Sequence, residues 1–283
     1  MTRPSAQTFD RIEHIVTSQQ KGAIATVIKT WRSSPRPLGS QLIVDENLQI
    51  TGSVSGGCVE SDVIALCQKA MQLQESSIHT YGVSDEKAWE VGLTCGGEIT
   101  VYIEPINKHT QKTYQQIQHA IHQRNAVYVL RSLLNGRSRV VPDSILRDVT
   151  DAQKTILGKE NMVETPHGSL QRIAPKTRVF VFGAVHAAVE LAKFCHLLDY
   201  DTTIIDPRPV FANRTRFPNA HLAVEWPDTF LKKHTLDTNT AICALNHDPK
   251  FDDVALTKAI ASDAFYIGAL GSSKTHAKRL ARL

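Results

Sequence analysis

Residues 178–206 read RVFVFGAVHAAVELAKFCHLLDYDTTIID. The stretch starts with a nearly unbroken apolar run, which is typical of a strand that is buried on both faces of a parallel sheet. An apolar pattern at helical spacing follows, and TTIID then supplies a second strand. A strand, a helix and a strand in this order predict a doubly wound, Rossmann-like parallel sheet.

The remaining sequence completes a two-domain organisation of α/β class. Downstream, HLAVEW, TAICALN and AFYIGALGS supply three more predicted strands, so we assign residues 177–283 to the Rossmann-like domain. Upstream, strands and helices alternate without βαβ regularity, which predicts an α+β domain over residues 1–142. Residues 143–176 are polar and weakly patterned, and we expect a linker there. Because the chain stops inside a predicted helix, we expect the second domain to be shortened at its C-terminus.

Composition narrows the class of protein. The chain has 283 residues, of which 42% are hydrophobic and 21% charged, as in an ordinary folded domain. Its net charge of +4 comes without a clustered basic stripe, so we do not expect nucleic acid as a partner. We see neither an apolar signal segment nor a run long enough for a membrane span. Five scattered cysteines, an odd count, favour free thiols in the reducing cytoplasm.

Half of a dinucleotide-binding fingerprint is present after the first Rossmann strand. Gly183 stands where the tight turn is needed, and Asp206 ends the next strand, where an acidic residue would bind a ribose hydroxyl. Val185, however, takes the place of the glycine that lets the main chain approach a pyrophosphate. Two interpretations stay open: a Rossmann domain without a dinucleotide, which we favour, and an NAD(P)-dependent oxidoreductase with an atypical fingerprint.

A glycine- and serine-rich loop, GSVSGGC, leads into a predicted helix that starts near Cys58. Its glycines permit positive φ angles, its hydroxyls donate hydrogen bonds, and the helix directs free N–H groups towards it. These features predict an anion site formed by Gly52, Ser53, Ser55, Gly56 and Gly57. The alternative is a tight strand-to-helix turn in which Cys58 is a small buried residue.

A second cysteine lies on a glycine-rich turn, in the order Cys95, Gly96, Gly97, directly before a predicted strand. The two thiols are candidates for one shared cavity. We do not expect structural zinc, because the chain lacks the C-x-x-C pairs that such sites use. A cysteine-dependent hydrolase or transferase would need a base beside Cys58. His79 and His109 are available, but the sequence does not position them.

Polar residues follow several predicted strands of the second domain. Ligands of open α/β sheets bind at the carboxyl ends of the strands, so these residues are candidates for one pocket. They come from DPRP, NHDP and GALGSSK, and they are Arg208, His247, Asp248, Gly271 and Ser272. We interpret the last segment as a further anion cradle.

Taken together, the motifs resemble one family, the xanthine dehydrogenase accessory factors of XdhC/CoxI type. In the first domain the resemblance rests on SSPRPLGSQLIV, GSVSGGCVE and GLTCGGEITVYIEP. In the second it rests on VFGAVHAA, IIDPRPVFANRTRFP, NHDPKFDD and YIGALGSSK, so that it covers nearly the whole chain. The family usually reads G-A-G-H in the first βα turn. Here the third position is Val185, while His186 is retained.

The resemblance implies a molybdenum cofactor-binding chaperone rather than an enzyme. Such a protein protects the pterin cofactor, supports its sulfuration with a cysteine desulfurase, and delivers it to an apo xanthine dehydrogenase-type molybdenum hydroxylase. It implies no NAD(P), and it leaves a homodimer open. On this basis Cys58 and Cys95 are candidates for contact with molybdenum, because a thiolate suits that metal better than a carboxylate. The cleft between the domains would hold the pterin and its phosphate, with the two glycine loops and with Gly183, His186, Asp206, Arg208, His247, Asp248, Gly271 and Ser272.

Overall fold

The computed structural model describes residues 6–82, 97–132, 136–165 and 168–283. The chain divides into two compact units, Met1–Ala174 and Pro175–Leu283. No helix in these described ranges is long and apolar enough to span a lipid bilayer.

The described part of the chain contains eight α-helices and fourteen strands. The helices are α1 Ala6–Thr17, α2 Glu60–Leu73, α3 Lys108–His122, α4 Asp151–Glu160, α5 His186–Leu197, α6 Pro227–Lys233, α7 Pro249–Ile260 and α8 Ser273–Leu280. The strands of the first unit are β1 Gly22–Trp31, β2 Gln41–Asp45, β3 Ile50–Gly52, β4 Ser77–Tyr81, β5 Glu98–Pro105, β6 Val127–Ser132, β7 Ser138–Val141, β8 Met162–Thr165 and β9 Gly168–Ile173. Those of the second unit are β10 Arg178–Phe182, β11 Asp201–Ile205, β12 His221–Ala223, β13 Thr240–Ala244 and β14 Tyr266–Ala269.

The first unit is centred on an antiparallel sheet of order β3-β2-β1-β5-β4. Side chains of a strand alternate between the two faces of its sheet, and here both faces of β1 are covered. Ala23, Ala25 and Val27 share a core cluster with the apolar stripe of α2. Ile24 belongs to another cluster, which it forms with residues of α1 and α3. This two-sided burial explains why β1 is apolar at almost every position of its first half.

The linker expected over residues 143–176 is corrected by the structure. A 3-10 helix at Asp143–Asp148, helix α4 and strands β8 and β9 occupy most of this stretch, and β8 and β9 join a sheet of order β7-β6-β9-β8. Thr150 and Gln153 form a capping box that starts α4. Each element contributes only one or two residues to the core cluster of this sheet, so the sequence looks polar although it is folded.

The second unit is a parallel sheet of order β12-β11-β10-β13-β14. Core clusters on its two sides include alternate residues of β10, Val179 and Val181 in one and Phe180 and Phe182 in the other. The predicted fold class, an α+β domain followed by a Rossmann-like parallel sheet, is therefore confirmed.

Candidate functional site

The glycine-rich loop that joins β3 to α2 has the backbone that its sequence predicts. Gly52, Gly56 and Gly57 have φ angles of +85°, +77° and +118°, in the region that L side chains rarely adopt. A Cβ atom at position 52 would lie only 2.1 Å from the carbonyl oxygen of Gln41 on the neighbouring strand. Glycine is therefore required at position 52 by close packing as well as by φ.

The N–H groups of this loop converge on the side chain of Glu60, in the first turn of α2. Its Oε1 accepts hydrogen bonds from the backbone nitrogens of Val54 (3.2 Å), Ser55 (2.8 Å) and Gly56 (3.1 Å). Its Oε2 accepts one from Gly57 at 2.8 Å. Both predicted serine hydroxyls also donate to this carboxylate, that of Ser53 at 2.7 Å to Oε1 and that of Ser55 to Oε2.

The charge state of Glu60 follows from this arrangement. Burial raises the pKa of the Glu60 carboxyl, but the hydrogen bonds from Ser55, Ser53 and the loop N–H groups outweigh that effect. The result is a pKa lowered from 4.5 to about 2, so the side chain is an anion at neutral pH.

The anion cradle predicted from the sequence thus exists, and the protein's own carboxylate occupies it. The loop N–H groups of residues 54–57 and both hydroxyls are committed to Glu60, which corrects the expectation that they bind an external phosphate. Sequence reasoning missed Glu60 because it considered only the loop residues. The available signal was an acidic residue in the first turn of a helix, where N–H groups and the helix dipole favour negative charge.

Cys58 follows directly after this fastened loop. It is a half-buried free thiol whose inner side packs against the core cluster beneath α2. A Cβ added at the preceding Gly57 would meet no atom within 4 Å, so open space adjoins this part of the loop. Cys67 of α2 is fully buried, and burial raises the pKa of its thiol to about 12. Of these two cysteines, Cys58 is the one that solvent reaches.

The second cysteine turn is described only at its last residue. Cys95 and Gly96 lie outside the described residues, so the convergence of two thiols stays a prediction. At Gly97 a Cβ atom would lie 1.9 Å from the carbonyl oxygen of Ser33. The close approach that this glycine permits is therefore to the backbone of the loop after β1. That loop also carries Arg32, whose guanidinium carbon lies 4.1 Å from the ring centroid of Trp31.

The two histidines considered as bases for Cys58 have other partners. His79 Nε2 lies 3.0 Å from the hydroxyl of Ser77, and His109 Nε2 lies 2.9 Å from the carbonyl oxygen of Ser138. Burial lowers the pKa of His79. No hydrogen bond within the described ranges joins a histidine to Cys58, and these ranges hold no cluster of three or more metal-ligating side chains. The arrangement of a base beside a cysteine nucleophile is not seen there.

A separate cavity of about 750 Å³ lies in the first unit; its lining includes His109 but none of the residues predicted to bind the cofactor. Its lining includes the buried Glu104, whose Oε1 accepts a 2.7 Å hydrogen bond from the hydroxyl of Ser138. Burial raises the pKa of Glu104. No residue of the loop that carries Cys58 lines this cavity.

In the second unit, hydrogen bonds and close packing connect the residues that follow β10, β11 and β13. Gly183 has a φ of +106°, and a Cβ there would lie 2.8 Å from the Cβ of Asn246. The Ala184 N–H donates to Asp206 Oδ2 at 2.9 Å. Arg208 donates to both oxygens of Asp206, from Nε at 2.9 Å and from Nη2 at 2.7 Å.

This network changes the role expected for Asp206. Its side chain is fully buried, and both carboxylate oxygens are occupied by groups of the same unit. Burial raises the pKa of Asp206, but the hydrogen bonds from Arg208 and Ala184 outweigh it and the pKa is lowered. The carboxylate therefore fastens the turn after β10 instead of facing a ribose.

The remaining candidates in the second unit lie at helix starts. His186 is the exposed first residue of α5, and His247, with a φ of +66°, donates its N–H to Asp252 at 3.0 Å. Asp248 and Ser272 are the N-caps of α7 and α8 and accept from Lys250 N and Thr275 N. Gly271 is exposed beside Ser272. The side-chain oxygens of Asp248 and Ser272 thus already accept hydrogen bonds from the helix N-termini that they cap.

The fold and these sites define a class of protein. It is a two-unit α/β protein with a cysteine-bearing glycine loop and a Rossmann-like sheet, in which the acid after the second strand of that sheet, Asp206, is paired within its own unit. Two family models match the chain, "XdhC and CoxI family" over residues 15–82 and "XdhC Rossmann domain" over residues 179–283. The chain belongs to this family, and the relationship that the motifs indicated is confirmed.

Individual relatives span both units. A protein of Bacillus subtilis (strain 168), named as a probable subunit of xanthine dehydrogenase, is 26% identical over 281 residues, covering 95% of this chain and 84% of the relative. The "Molybdenum cofactor insertion chaperone PaoD" of Escherichia coli (strain K12) is 26% identical over 266 residues, covering 93% of this chain and 71% of the relative. A solved structure from Bacillus halodurans, described as a xanthine dehydrogenase, shares the fold with a TM-score of 0.76 at 24% identity. That match covers 96% of this chain and 84% of the solved one.

Proposed function

We propose that this protein is a molybdenum cofactor chaperone, not a turnover enzyme, that protects the cofactor and delivers it to an apo xanthine dehydrogenase-type molybdenum hydroxylase. Family membership and the name of the Escherichia coli relative support this function. The observation that carries it is the half-buried free thiol of Cys58 on a loop fastened by Glu60.

The role of Cys58 rests on its chemistry and its setting. A thiolate is a soft ligand, and it suits molybdenum better than a hard carboxylate does. Glu60 holds residues 54–57 by four backbone hydrogen bonds, so the thiol that follows is held in place before any ligand arrives. The open space beside Gly57 leaves room for a partner of the sulfur atom.

The finer parts of the function belong to the same proposal. Cys95 is a second candidate ligand for molybdenum, and a cysteine desulfurase is the partner that would supply sulfur for sulfuration. The cytoplasm is the compartment in which free thiols and such partners would meet. Because the N–H groups of residues 54–57 are committed to Glu60, the phosphate of the pterin is assigned to other residues.

Co-purification tests the function. The chain is expressed in a molybdopterin-producing host, purified, oxidised, and assayed for bound pterin by fluorescence. We expect pterin with the parent and a clear loss of pterin in Cys58→Ala. The matched control is Cys243→Ala, which changes another half-buried cysteine, in β13 of the second unit. A parent without pterin would contradict the chaperone function. A Cys58→Ala variant that binds pterin as tightly as the parent would contradict the thiolate role alone.

A further inference from the structure

A small, charged pocket lies in the second unit and is lined by residues of the first half of α7 and of α8. Its volume is about 210 Å³, below the roughly 300–1,000 Å³ typical of pockets that enclose a whole small molecule. A pocket of this size suits one charged group of a ligand. Six of its lining residues carry a formal charge at neutral pH: Asp252, Asp253, Lys274, Lys278, Arg279 and Arg282.

The charges of this pocket do not balance. Asp252 pairs with Arg279 at 3.2 Å, and Asp253 pairs with Arg282 at 2.6 Å. Lys274 and Lys278, four residues apart on α8, are exposed and form no ion pair with any part of the chain that the structure describes. Two positive charges are therefore left over, and they favour an anionic ligand.

Arg279 adds an independent indication. Its side chain is only 3% exposed, yet Nε and Nη1 have no hydrogen-bond partner within the described chain. Only Nη2 is engaged, by Asp252 and by the carbonyl oxygen of Leu270 at 3.1 Å. A guanidinium carries five N–H donors, and buried donors without acceptors cost free energy. The side chain lines the pocket, so a ligand rich in acceptor oxygens would lie next to a guanidinium group that has unpaired donors.

We propose that this pocket binds the phosphate group of a phosphorylated ligand, through Lys274, Lys278 and Arg279. Phosphate offers several acceptor oxygens and up to two negative charges, which match the two surplus lysines and the unused guanidinium donors. The proposal relies on the proposed function only for the source of the phosphate, which is either the pterin cofactor or a free phosphorylated metabolite.

Inorganic pyrophosphate is the probe for the pocket itself. Its binding to the full chain is measured by titration calorimetry for the parent and for Lys274→Gln/Lys278→Gln. Both lysines are exposed, so folding is preserved, unlike in a variant of Arg279, which pairs with the buried Asp252. The control Lys232→Gln/Lys258→Gln removes the same charge from exposed positions outside the pocket.

We expect the double variant in the pocket to bind pyrophosphate about tenfold or more weakly than the parent, since contacts to charged groups each contribute about that factor. The control should bind like the parent. Failure of the parent to bind, or equal weakening in the control, would overturn the proposal.

Pterin content then identifies the source of the phosphate. If the pocket variant also loses pterin in the co-purification assay, the phosphate is that of the cofactor. If it loses pyrophosphate binding but keeps pterin, the pocket serves a different phosphorylated ligand. Both results support the phosphate pocket, whereas absence of pterin from the parent bears on the chaperone function only.

Discussion

The Oε2 atom of Glu60 lies 2.8 Å from the backbone nitrogen of Gly57, the residue immediately before Cys58. The thiol thus sits between a loop that is held by an internal anion and the helix that supplies this anion. From the sequence alone, Glu60 would be placed in the solvated first turn of a helix. In the structure its carboxylate is the group that holds the loop of the candidate site.

The first prediction concerns this fastening. Glu60→Gln removes the charge that accepts four backbone N–H bonds, and hydrogen bonds to a charged group contribute about 1.5–3 kcal/mol. We expect the amides of residues 54–57 to exchange with solvent deuterium at least about tenfold faster, because 1.4 kcal/mol corresponds to a factor of ten. Glu160→Gln, at the exposed end of α4, is the control and should leave these amides unchanged. Equal protection in both variants would show that the carboxylate does not hold the loop.

The second prediction is the pH dependence of the same contact. The pKa of Glu60 is lowered in the folded state, so its contribution to stability is complete above its ordinary value of 4.5 and is lost as the pH falls towards about 2. The side chain is half-buried, and screening by the remaining solvent reduces the expected contribution to about 1 kcal/mol. A carbon-detected NMR titration of the Glu60 carboxyl should give a midpoint well below the ordinary value of 4.5. A titration midpoint of Glu60 near 4.5 would contradict the prediction.

Much of this fold can be predicted from the sequence because it depends on interactions between residues that are close in the chain. The apolar run of β10 and the helical spacing of α5 predict a buried βαβ unit, and the structure has one. The glycines at 52, 56 and 57 likewise predict the positive φ angles that they adopt. These inferences need only the residue and its immediate neighbours.

The sequence does not reveal which polar groups pair with each other. Nothing in the spacing shows that Glu60 fills the cradle made by its own preceding loop, or that Arg208 covers Asp206. The sequence pattern of residues 143–176 wrongly predicts a linker for a related reason. Its elements are short and each contributes few apolar residues, so Leu157, Val163 and Leu170 form a core only after the sheet is assembled.

The third prediction ranks three of the four described cysteines, Cys58, Cys67 and Cys243, by reactivity. Cys58 is half-buried and follows Gly57, which adjoins open space, whereas burial raises the pKa of Cys67 to about 12 and that of Cys243 to about 11. The thiolate is the reactive form, so the native protein should be alkylated at Cys58 at least about tenfold faster than at the other two. Brief treatment with iodoacetamide followed by peptide mass spectrometry measures this ratio. Similar labelling of Cys58 and Cys67 in the folded protein would contradict the burial difference, and labelling after denaturation provides the reference.

The fourth prediction concerns Gly97. A methyl group at this position would lie 1.9 Å from the carbonyl oxygen of Ser33, so Gly97→Ala must displace backbone and should destabilise the first unit by about 2–4 kcal/mol. Gly158→Ala is the matched control, because this residue lies inside α4 with no atom within 4 Å of an added Cβ. Alanine favours a helix by about 0.5–1 kcal/mol over glycine, so the control should be stabilised. Urea unfolding followed by circular dichroism measures both, and a neutral Gly97→Ala would refute the close contact.

The last prediction separates the chaperone from an oxidoreductase. NADH should not raise the melting temperature, because both oxygens of Asp206 are bound by Arg208 and Ala184, and because Val185 stands where a pyrophosphate needs glycine. A ligand at about 100 times its Kd adds about 2.7 kcal/mol of stability, which would shift the melting temperature by several degrees. Pyrophosphate serves as the positive control, since the pocket at Lys274 and Lys278 lies outside this turn. A clear shift with NADH that persists in Lys274→Gln/Lys278→Gln would mean that the Asp206 network opens for a dinucleotide, and the oxidoreductase would then be the better interpretation.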